Sequence, residues 1–306
     1  MLHIVLNRLP FVQIHMNQHL HLDRLSALLH GLSPRVVLCQ TRSSQALAAP
    51  APWPQPRTPA DGGCPATDGD GSRGLDLHIL CDPAWAPGGS AAALQGLSLL
   101  VCPAGEQAER AALQGQGWRP WVSFAVVFDG PVGPLLLREF RRAEHIALHT
   151  ADPSLAQIVQ LMASEMQATR CGQPLLMDRA GDILLIGLLR HWVMHPLNQV
   201  GLFGGLADPR LARALVAMHT HPAQPWTLDH LAVEAGMSRT AFATRFKQVM
   251  GVSAGKYLEG LRLAMAQRLV ATGQGLKRVA HETGYASAAT LSRAMGRVDA
   301  RLACPA

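Results

Sequence analysis

Two stretches of the chain place an arginine shortly after a serine, in a setting that suits contact with nucleic acid. Arg239 follows Ser238 directly, and Arg293 follows Ser287 by six residues. Arginine and hydroxyl side chains bind phosphate oxygens, and arginine also reads guanine through its two-pronged guanidinium. No Ser-His-Asp, P-loop or GxGxxG arrangement stands out in the sequence. The residues therefore favour DNA binding over catalysis.

The two stretches lie in two copies of one pattern. Ala232 and Gly236 of the first copy recur as Ala280 and Gly284 at an offset of 48 residues, and the two serines are 49 residues apart. Each copy predicts a helix that ends at the glycine, a tight turn in which this glycine takes a positive φ, a serine cap and a second helix. That order of elements predicts two helix-turn-helix units in tandem.

Residues 208–295 resemble the DNA-binding domain of the AraC/XylS family of bacterial transcription regulators. The resemblance rests on Trp226-Thr227-Leu228, Met237-Ser238-Arg239-Thr240, Arg245-Phe246-Lys247, Gly251-Val252-Ser253, Tyr257-Leu258, Leu263-Ala264, Gly284-Tyr285 and Leu291-Ser292-Arg293-Ala294. It implies an all-α tandem helix-turn-helix domain over residues 208–306. It also implies sequence-specific binding of double-stranded DNA and RNA polymerase as a partner.

Thr227 is expected to cap a helix at Leu228 to Ala235, and Ser238 is expected to cap the first recognition helix, at about Arg239 to Met250. Phe242, Phe246 and Val249 recur there at i, i+4 and i+7, which predicts that they face the core. The residues on the opposite face of each recognition helix are then expected to contact DNA. They are Arg239, Thr240, Ala243, Thr244 and Lys247 in the first unit, and Ala288, Ala289, Ser292 and Arg293 in the second.

Several positions depart from the family pattern. Ala254 stands where the family has proline, and Thr244 stands where it has a longer side chain, often arginine. The second recognition helix has one arginine, and residues 298–306 replace the family's final helix. These departures leave an alternative function open, namely an interaction protein with a truncated, weakened DNA-binding domain.

Charge is unevenly distributed along the 306 residues, which leave room for two domains. From Asp208 onward there are 13 basic and 6 acidic residues, against 14 and 15 in the remainder. A basic module joined to a neutral one suits a phosphate backbone for the first and a small ligand for the second. The longest apolar run, Ile183 to Leu189, is too short to span a bilayer, and no C-x-x-C occurs. We therefore expect a cytoplasmic protein with reduced thiols.

Residues 20–199 are expected to form a mainly β, cupin-like barrel with flanking helices. Short apolar runs separated by glycine-proline turns predict strands, at residues 35–39, 75–80, 97–102 and 121–128. The order of segments from Asp23 onward resembles the cupin-type sensor domain of one branch of the same family, which implies an effector. The remaining segments are interpreted as a possible disordered extension (residues 1–19), a disordered loop (49–74) and a linker (200–207).

Two helices are expected after the strands, at residues 153–170 and 174–195. The second is apolar on more than one side, so it must be buried. It could pack under the barrel or form half of a homodimer interface, and we favour the interface slightly.

Neither a metal site nor a catalytic set is expected in the barrel. A metal-binding cupin needs a His-x-His pair with a carboxylate and a third histidine, whereas His78 stands alone in its strand. An oxidant could replace a small-molecule effector, because Cys64 lies in the predicted loop and is accessible there. Cys39, Cys81 and Cys102 fall in or beside strands and are expected to be inert core residues.

Overall fold

The structure, a computed structural model, describes residues 23–41, 74–82, 96–106, 108–130, 132–167 and 170–302. The extension predicted at residues 1–19 lies outside these ranges, and so does the loop predicted at 49–74, apart from Gly74. Gly74 is the first residue of a strand, so the loop prediction is wrong at that residue.

The described strands form one antiparallel sheet in the order β1-β4-β2-β3-β5. Their bounds are β1 Pro34–Thr41, β2 Gly74–Cys81, β3 Leu97–Pro103, β4 Arg119–Phe128 and β5 Glu144–Ala147. The four predicted strands are all present, each slightly longer than expected, whereas β5 was not predicted. Among these strands β1 and β5 are the two edges. Strand β2 is buried on both faces, since Leu77 packs in the main core and His78 lies on the opposite face beside Ser123.

In the described part of this half, five helices accompany the sheet: α1 Arg24–Leu32, α2 Ala108–Gly115, α3 Gly133–Leu137, α4 Pro153–Gln167 and α5 Gln173–Met194. Helix α5 packs against β1 and α4. Its Gly181 lies so close to the Phe124 ring and Val36 that a Cβ would stand 2.7 Å from Phe124 and 2.9 Å from Val36. Most of the apolar surface of α5 is therefore buried inside the N-terminal domain, and this packing explains why the helix is apolar on several sides.

The segment predicted as a linker is itself a helix, α6 Leu202–Ala207. Leu202, Phe203 and Leu206 are buried, because the helix packs on both halves of the molecule. The Phe203 ring packs at a tilt against Trp192 of α5, with ring centroids 5.5 Å apart, and the Gly201 N–H donates to the Val249 carbonyl at 2.7 Å. The two halves are thus joined by a packed element.

The C-terminal half is entirely helical over the residues described. Its helices are α7 Pro209–Thr220, α8 Leu228–Glu234, α9 Arg239–Met250, α10 Ala254–Ala271, α11 Leu276–Glu282 and α12 Ala288–Leu302. Helices α8 and α9 form the first predicted unit, α11 and α12 form the second, and α10 links them. The expected fold class is confirmed: a sheet-rich N-terminal domain is followed by a helical tandem helix-turn-helix domain.

Candidate nucleic-acid interface

Side-chain caps fix the N-terminal ends of both helices of the first unit. Thr227 Oγ1 accepts a hydrogen bond from the His230 N–H at 3.2 Å, and Ser238 Oγ accepts one from the Ala241 N–H at 3.3 Å. Gly236 lies between these helices with φ of +62°, a conformation in which a Cβ is strained. The glycine and both caps occur where the sequence pattern predicts them, so α9 leaves the turn in a defined direction.

Helix α9 divides into a buried and an exposed face. Phe242 and Phe246 are fully buried and Val249 nearly so, as their spacing predicts. On the other face Arg239, Thr240, Thr244 and Lys247 are exposed and Ala243 is half-buried. The structure therefore gathers the five residues predicted to contact DNA on one side of one helix, where basic and hydroxyl groups are available to a groove.

Arg239 already has a partner in the protein. Its Nη1 lies 3.4 Å from Asp229 Oδ2, with side chains 65% and 60% exposed. An ion pair this exposed contributes at most about 1 kcal/mol, so it can be exchanged for a contact with DNA.

The second unit repeats this geometry. Gly284 has φ of +76°, and Ser287 Oγ accepts from the Thr290 N–H at 3.2 Å. Ala289, Ser292 and Arg293 are exposed and Ala288 is half-buried, on the side opposite to the fully buried Leu291. Arg293 Nε donates to the Ala289 carbonyl at 3.4 Å. The second face carries fewer polar groups than the first.

Arg245 is a residue of α9 whose position the sequence did not reveal. Its Nε donates to Asp208 Oδ2 at 3.0 Å, and Asp208 also caps α7 by accepting from the Arg210 N–H at 3.0 Å. Desolvation opposes ionisation of Asp208, but the hydrogen bonds from Arg245 and the backbone outweigh it and lower the pKa of the carboxyl. Arg245 therefore anchors the recognition helix to α7.

A polar cluster lies on the sheet of the N-terminal domain around His78, which is the one histidine of its strand, as the sequence shows. Ligand atoms of Asp76, His78 and Cys102 lie within 4.8 Å of one another. Asp76 and His78 share a face of β2. Cys102, in the neighbouring strand β3, lies directly opposite Asp76. The Arg110 guanidinium hydrogen-bonds to Asp76 and, at 3.6 Å, to the Cys102 sulfur. This donor set does not fit a metal ion well, because a cation already lies against two of its three members.

The histidine and thiol of this cluster are both held uncharged. Burial, with a smaller contribution from Arg110, lowers the pKa of His78 to about 3. Burial raises the pKa of Cys102 to about 11 and that of Cys81 to about 12, which fits the expectation that these thiols are inert. Cys39 is half-buried, and Cys64, the predicted redox residue, lies outside the described residues.

Comparison with known proteins matches both halves of the chain. A family described as "Cupin" matches residues 23–194, and one described as "Helix-turn-helix domain" matches residues 231–299. An HTH-type transcriptional regulator of Haemophilus influenzae is 34% identical over 147 residues, which are 48% of this chain and 49% of that protein. An AraC-like transcription regulator of Streptomyces lividans is 36% identical over 154 residues, or 48% and 51% of the two chains.

One solved structure that it resembles is the DNA-binding domain of AdpA in complex with a target DNA. That domain is 27% identical, with a TM-score of 0.28, over 31% of this chain and 92% of the other. The chain spans about half the length of the curated relatives it matches.

The cupin match alone covers more than half of the 306 residues, and the helix-turn-helix match adds the tandem unit. The chain belongs to the AraC/XylS family of transcription regulators that carry an N-terminal cupin domain. None of the helices in the described part combines the length and apolar composition that a bilayer crossing requires.

Proposed function

We propose that this protein is a sequence-specific DNA-binding transcription regulator whose N-terminal domain senses an effector. The observation that carries the proposal is the pair of capped helix-turn-helix units. Each presents an arginine and hydroxyl side chains on the exposed face of its second helix, at Arg239 and Thr240 in α9 and at Ser292 and Arg293 in α12. The excess of basic residues after Asp208 supports contact with phosphates.

The two recognition helices are expected to enter successive major-groove segments on one face of the duplex. Their separation should then be about one helical turn, roughly 34 Å, unless the DNA bends. Sequencing of DNA recovered with the protein would identify the operator. Gel-shift titrations at several salt concentrations would then compare operator with random DNA. A tighter complex on the operator supports the proposal, and equal, strongly salt-dependent binding to both contradicts sequence specificity.

The effector is proposed to be a small molecule bound by the N-terminal domain, with oxidation of Cys64 as the alternative. The redox version predicts that peroxide or hypochlorite changes DNA affinity, and that Cys64→Ser abolishes this change while Cys171→Ser, at an exposed cysteine, does not. An oxidant that leaves the affinity of the wild-type protein unchanged would favour the small molecule.

A homodimer is a further part of the proposal. Helices α4 and α5 expose Leu161, Leu175 and Ile183, although most of the apolar surface of α5 is buried. Exposed apolar side chains on neighbouring helices favour an interface between two copies. Light scattering should report a dimer that Ile183→Asp weakens, whereas Arg179→Asp, at an exposed and ion-paired position, should weaken it less. RNA polymerase as a partner and a cytoplasmic location complete the proposal.

A second candidate function is an interaction protein that binds DNA weakly. The observation in its favour is the exposed face of α12, where Ala289 stands between the half-buried Ala288 and the few polar side chains. This candidate predicts that the wild-type protein fails to shift DNA fragments recovered with it at any salt concentration. A specific shift would exclude it.

A further inference from the structure

Arg262, in the middle of α10, binds the loop that precedes the first helix-turn-helix unit. Its Nε donates to the Pro222 carbonyl at 2.7 Å, and its Nη2 donates to the Gln224 carbonyl at 2.7 Å. The same loop is closed by Trp226, whose Nε1 donates to the His221 carbonyl at 2.9 Å. The guanidinium thus fastens α10 to a defined loop of the first half of the DNA-binding domain.

The turn of the second unit, at Gly284, packs against the same loop. A Cβ at Gly284 would stand 2.8 Å from the Ala223 carbonyl oxygen, 2.9 Å from Ala223 Cα and 3.1 Å from Arg262 Cζ. Glycine is needed at this position both for its φ of +76° and for this close approach. We call the contact among Arg262, Gly284 and residues 222–224 the inter-unit junction.

The chemistry of Arg262 suits a rigid joint. Burial lowers the pKa of Arg262, since the side chain is half-buried, but an arginine remains charged at any physiological pH. Hydrogen bonds from a charged donor are stronger than neutral ones, and the planar guanidinium fixes the direction of both. Lysine cannot reproduce this two-pronged geometry.

The two units have separate apolar cores among the described residues. The small core of the second unit consists of Ala266 from α10 with Val279, Ala280 and Leu291, and it is separate from the main core. The orientation of α12 relative to α9 therefore depends on the straightness of α10 and on the inter-unit junction.

We propose that Arg262 is a positioning residue that fixes the angle between the two recognition helices, and so sets the spacing between the two DNA half-sites that the protein accepts. This inference rests on the proposed function. Each added base pair between half-sites shifts the second by about 3.4 Å and rotates it by about 35°. A rigid pair of units tolerates such a change poorly, whereas a loosely joined pair follows it.

The test measures affinity for a series of operators in which the spacer is shortened or lengthened by one or two base pairs. Wild-type protein should prefer one spacing over its neighbours by roughly tenfold, because a misplaced base contact costs about that much. Arg262→Gln should reduce the preference to about threefold or less, with unchanged affinity for the isolated first half-site. Arg262→Lys, which keeps the charge but lacks the fork, should lie between the two.

Arg268→Gln is the matched control, because it removes an arginine from the same helix. Arg268 Nη1 donates to Ser33 Oγ of the N-terminal domain at 3.0 Å and does not touch residues 222–224. Its spacing profile should equal that of wild type. A tenfold preference retained in Arg262→Gln overturns the inference, and so does an equal loss of affinity at every spacing and at the isolated half-site.

A measurement without DNA separates this inference from the proposed function. Spin labels carried by encoded unnatural amino acids at Lys247 and Ala289 report the distance between α9 and α12, while the six native cysteines stay in place. Arg262→Gln should broaden the distance distribution and Arg268→Gln should not. An unchanged distribution overturns the inference even if the operator is bound, and a broadened one supports it even if the wild-type protein binds no specific DNA.

Discussion

The two helix-turn-helix units share one sequence pattern, but they are embedded differently. In the first unit Phe242, Phe246 and Val249 belong to the same continuous core as Leu28 and Trp192 of the N-terminal domain. In the second unit a separate core holds four buried residues, among them Leu291. A region with few buried apolar contacts opens at a lower free energy. The difference teaches that one motif can be built into the core of the neighbouring domain in one copy and rest on a small core of its own in the other.

Polar contacts reinforce the attachment of the first unit. The Glu139 carboxylate of the N-terminal domain accepts from the Leu202 N–H at 2.5 Å, and Arg24 donates to the Leu206 carbonyl at 2.8 Å. Both contacts hold α6, which packs on α9. The N-terminal domain therefore contacts the helix that packs on the first recognition helix, whereas its hydrogen bond to Arg268 reaches α10, which links to the second unit.

Truncation of a core side chain should reveal the difference between the two units most clearly, as a loss of stability in different parts of the chain. Phe246→Ala should lower the free energy of unfolding of the N-terminal domain and first unit together by about 3–5 kcal/mol. Leu291→Ala should cost about 2–5 kcal/mol, but only within residues 276–302. Hydrogen exchange measured by mass spectrometry distinguishes the two patterns. Equal loss of amide protection across the whole chain in Leu291→Ala would show that the second unit is not separate.

Removal of one DNA-contacting arginine should have a smaller effect than the core truncations, and the size of this effect should differ between the two units. Arg293 is exposed on α12 beside Ala289 and Ser292, so Arg293→Ala should weaken operator binding by about 1–3 kcal/mol and relax specificity at one position. Arg239→Ala is the parallel change in α9, where Thr240, Thr244 and Lys247 remain.

The readout is affinity for operators with single-base changes, compared with affinity for random DNA. An equal loss on operator and random DNA would indicate that the arginine contacts a phosphate. A larger loss of specificity for Arg239→Ala than for Arg293→Ala would reverse the expected order of the two units.

What the sequence predicted about these units was local. The caps at Thr227 and Ser238, the positive φ at Gly236 and the buried spacing of Phe242 and Phe246 all depend on neighbours within a few residues, and all are present. The strands were found for the same reason, because apolar runs between turns are visible without knowledge of the fold.

What the sequence missed depends on distant partners or on weak local signals. Arg245 meets Asp208 37 residues away, and Arg262 meets Gln224 38 residues away. No periodicity reports such pairs. The cluster around His78 required the pairing of β2 with β3, which is a tertiary property. Helix α6 was interpreted as a linker because its glycines have low helix propensity. Its short apolar face indicates a helix only when its packing partners are known.

Low pH should destabilise the N-terminal domain and first unit, but not the second unit. His219 is buried with its Nε2 2.7 Å from the Tyr257 hydroxyl, and burial lowers its pKa from 6.5 to about 4. In the unfolded chain this histidine protonates near 6.5, so the unfolded state binds more protons below that pH. Stability is therefore fully present above pH 6.5 and falls as the pH drops from 6.5 towards 4.

The expected loss at pH 5.5 is about 1 kcal/mol from His219, and His78 should add a similar amount. Both residues lie within the block formed by the N-terminal domain and first unit, whereas His281 of the second unit is exposed. Hydrogen exchange at pH 7 and pH 5.5, corrected for the intrinsic rates, should show reduced protection in that block alone. Greater acid sensitivity in residues 276–302 would contradict the assignment.

The smallest expected effect concerns the ion pair between Asp229 and Arg239. Since this pair is exposed and worth about 0.2–1 kcal/mol, Asp229→Asn should free Arg239 and raise operator affinity by no more than about fivefold. Titrations at two salt concentrations provide the measurement, and the gain should shrink at high salt because screening already weakens the pair.

Glu234→Gln is the matched control for Asp229→Asn, because it removes one negative charge from the end of the same helix, at an exposed residue without an ion pair in the described part of the chain. If both variants gain equally, the effect is general repulsion between α8 and DNA. A loss of affinity in Asp229→Asn would instead mean that the carboxylate holds Arg239 in its reading position. The first unit would then be preorganised for DNA by a side-chain pair, and the comparison in the second unit is Arg293, whose Nε donates to the Ala289 carbonyl of its own helix.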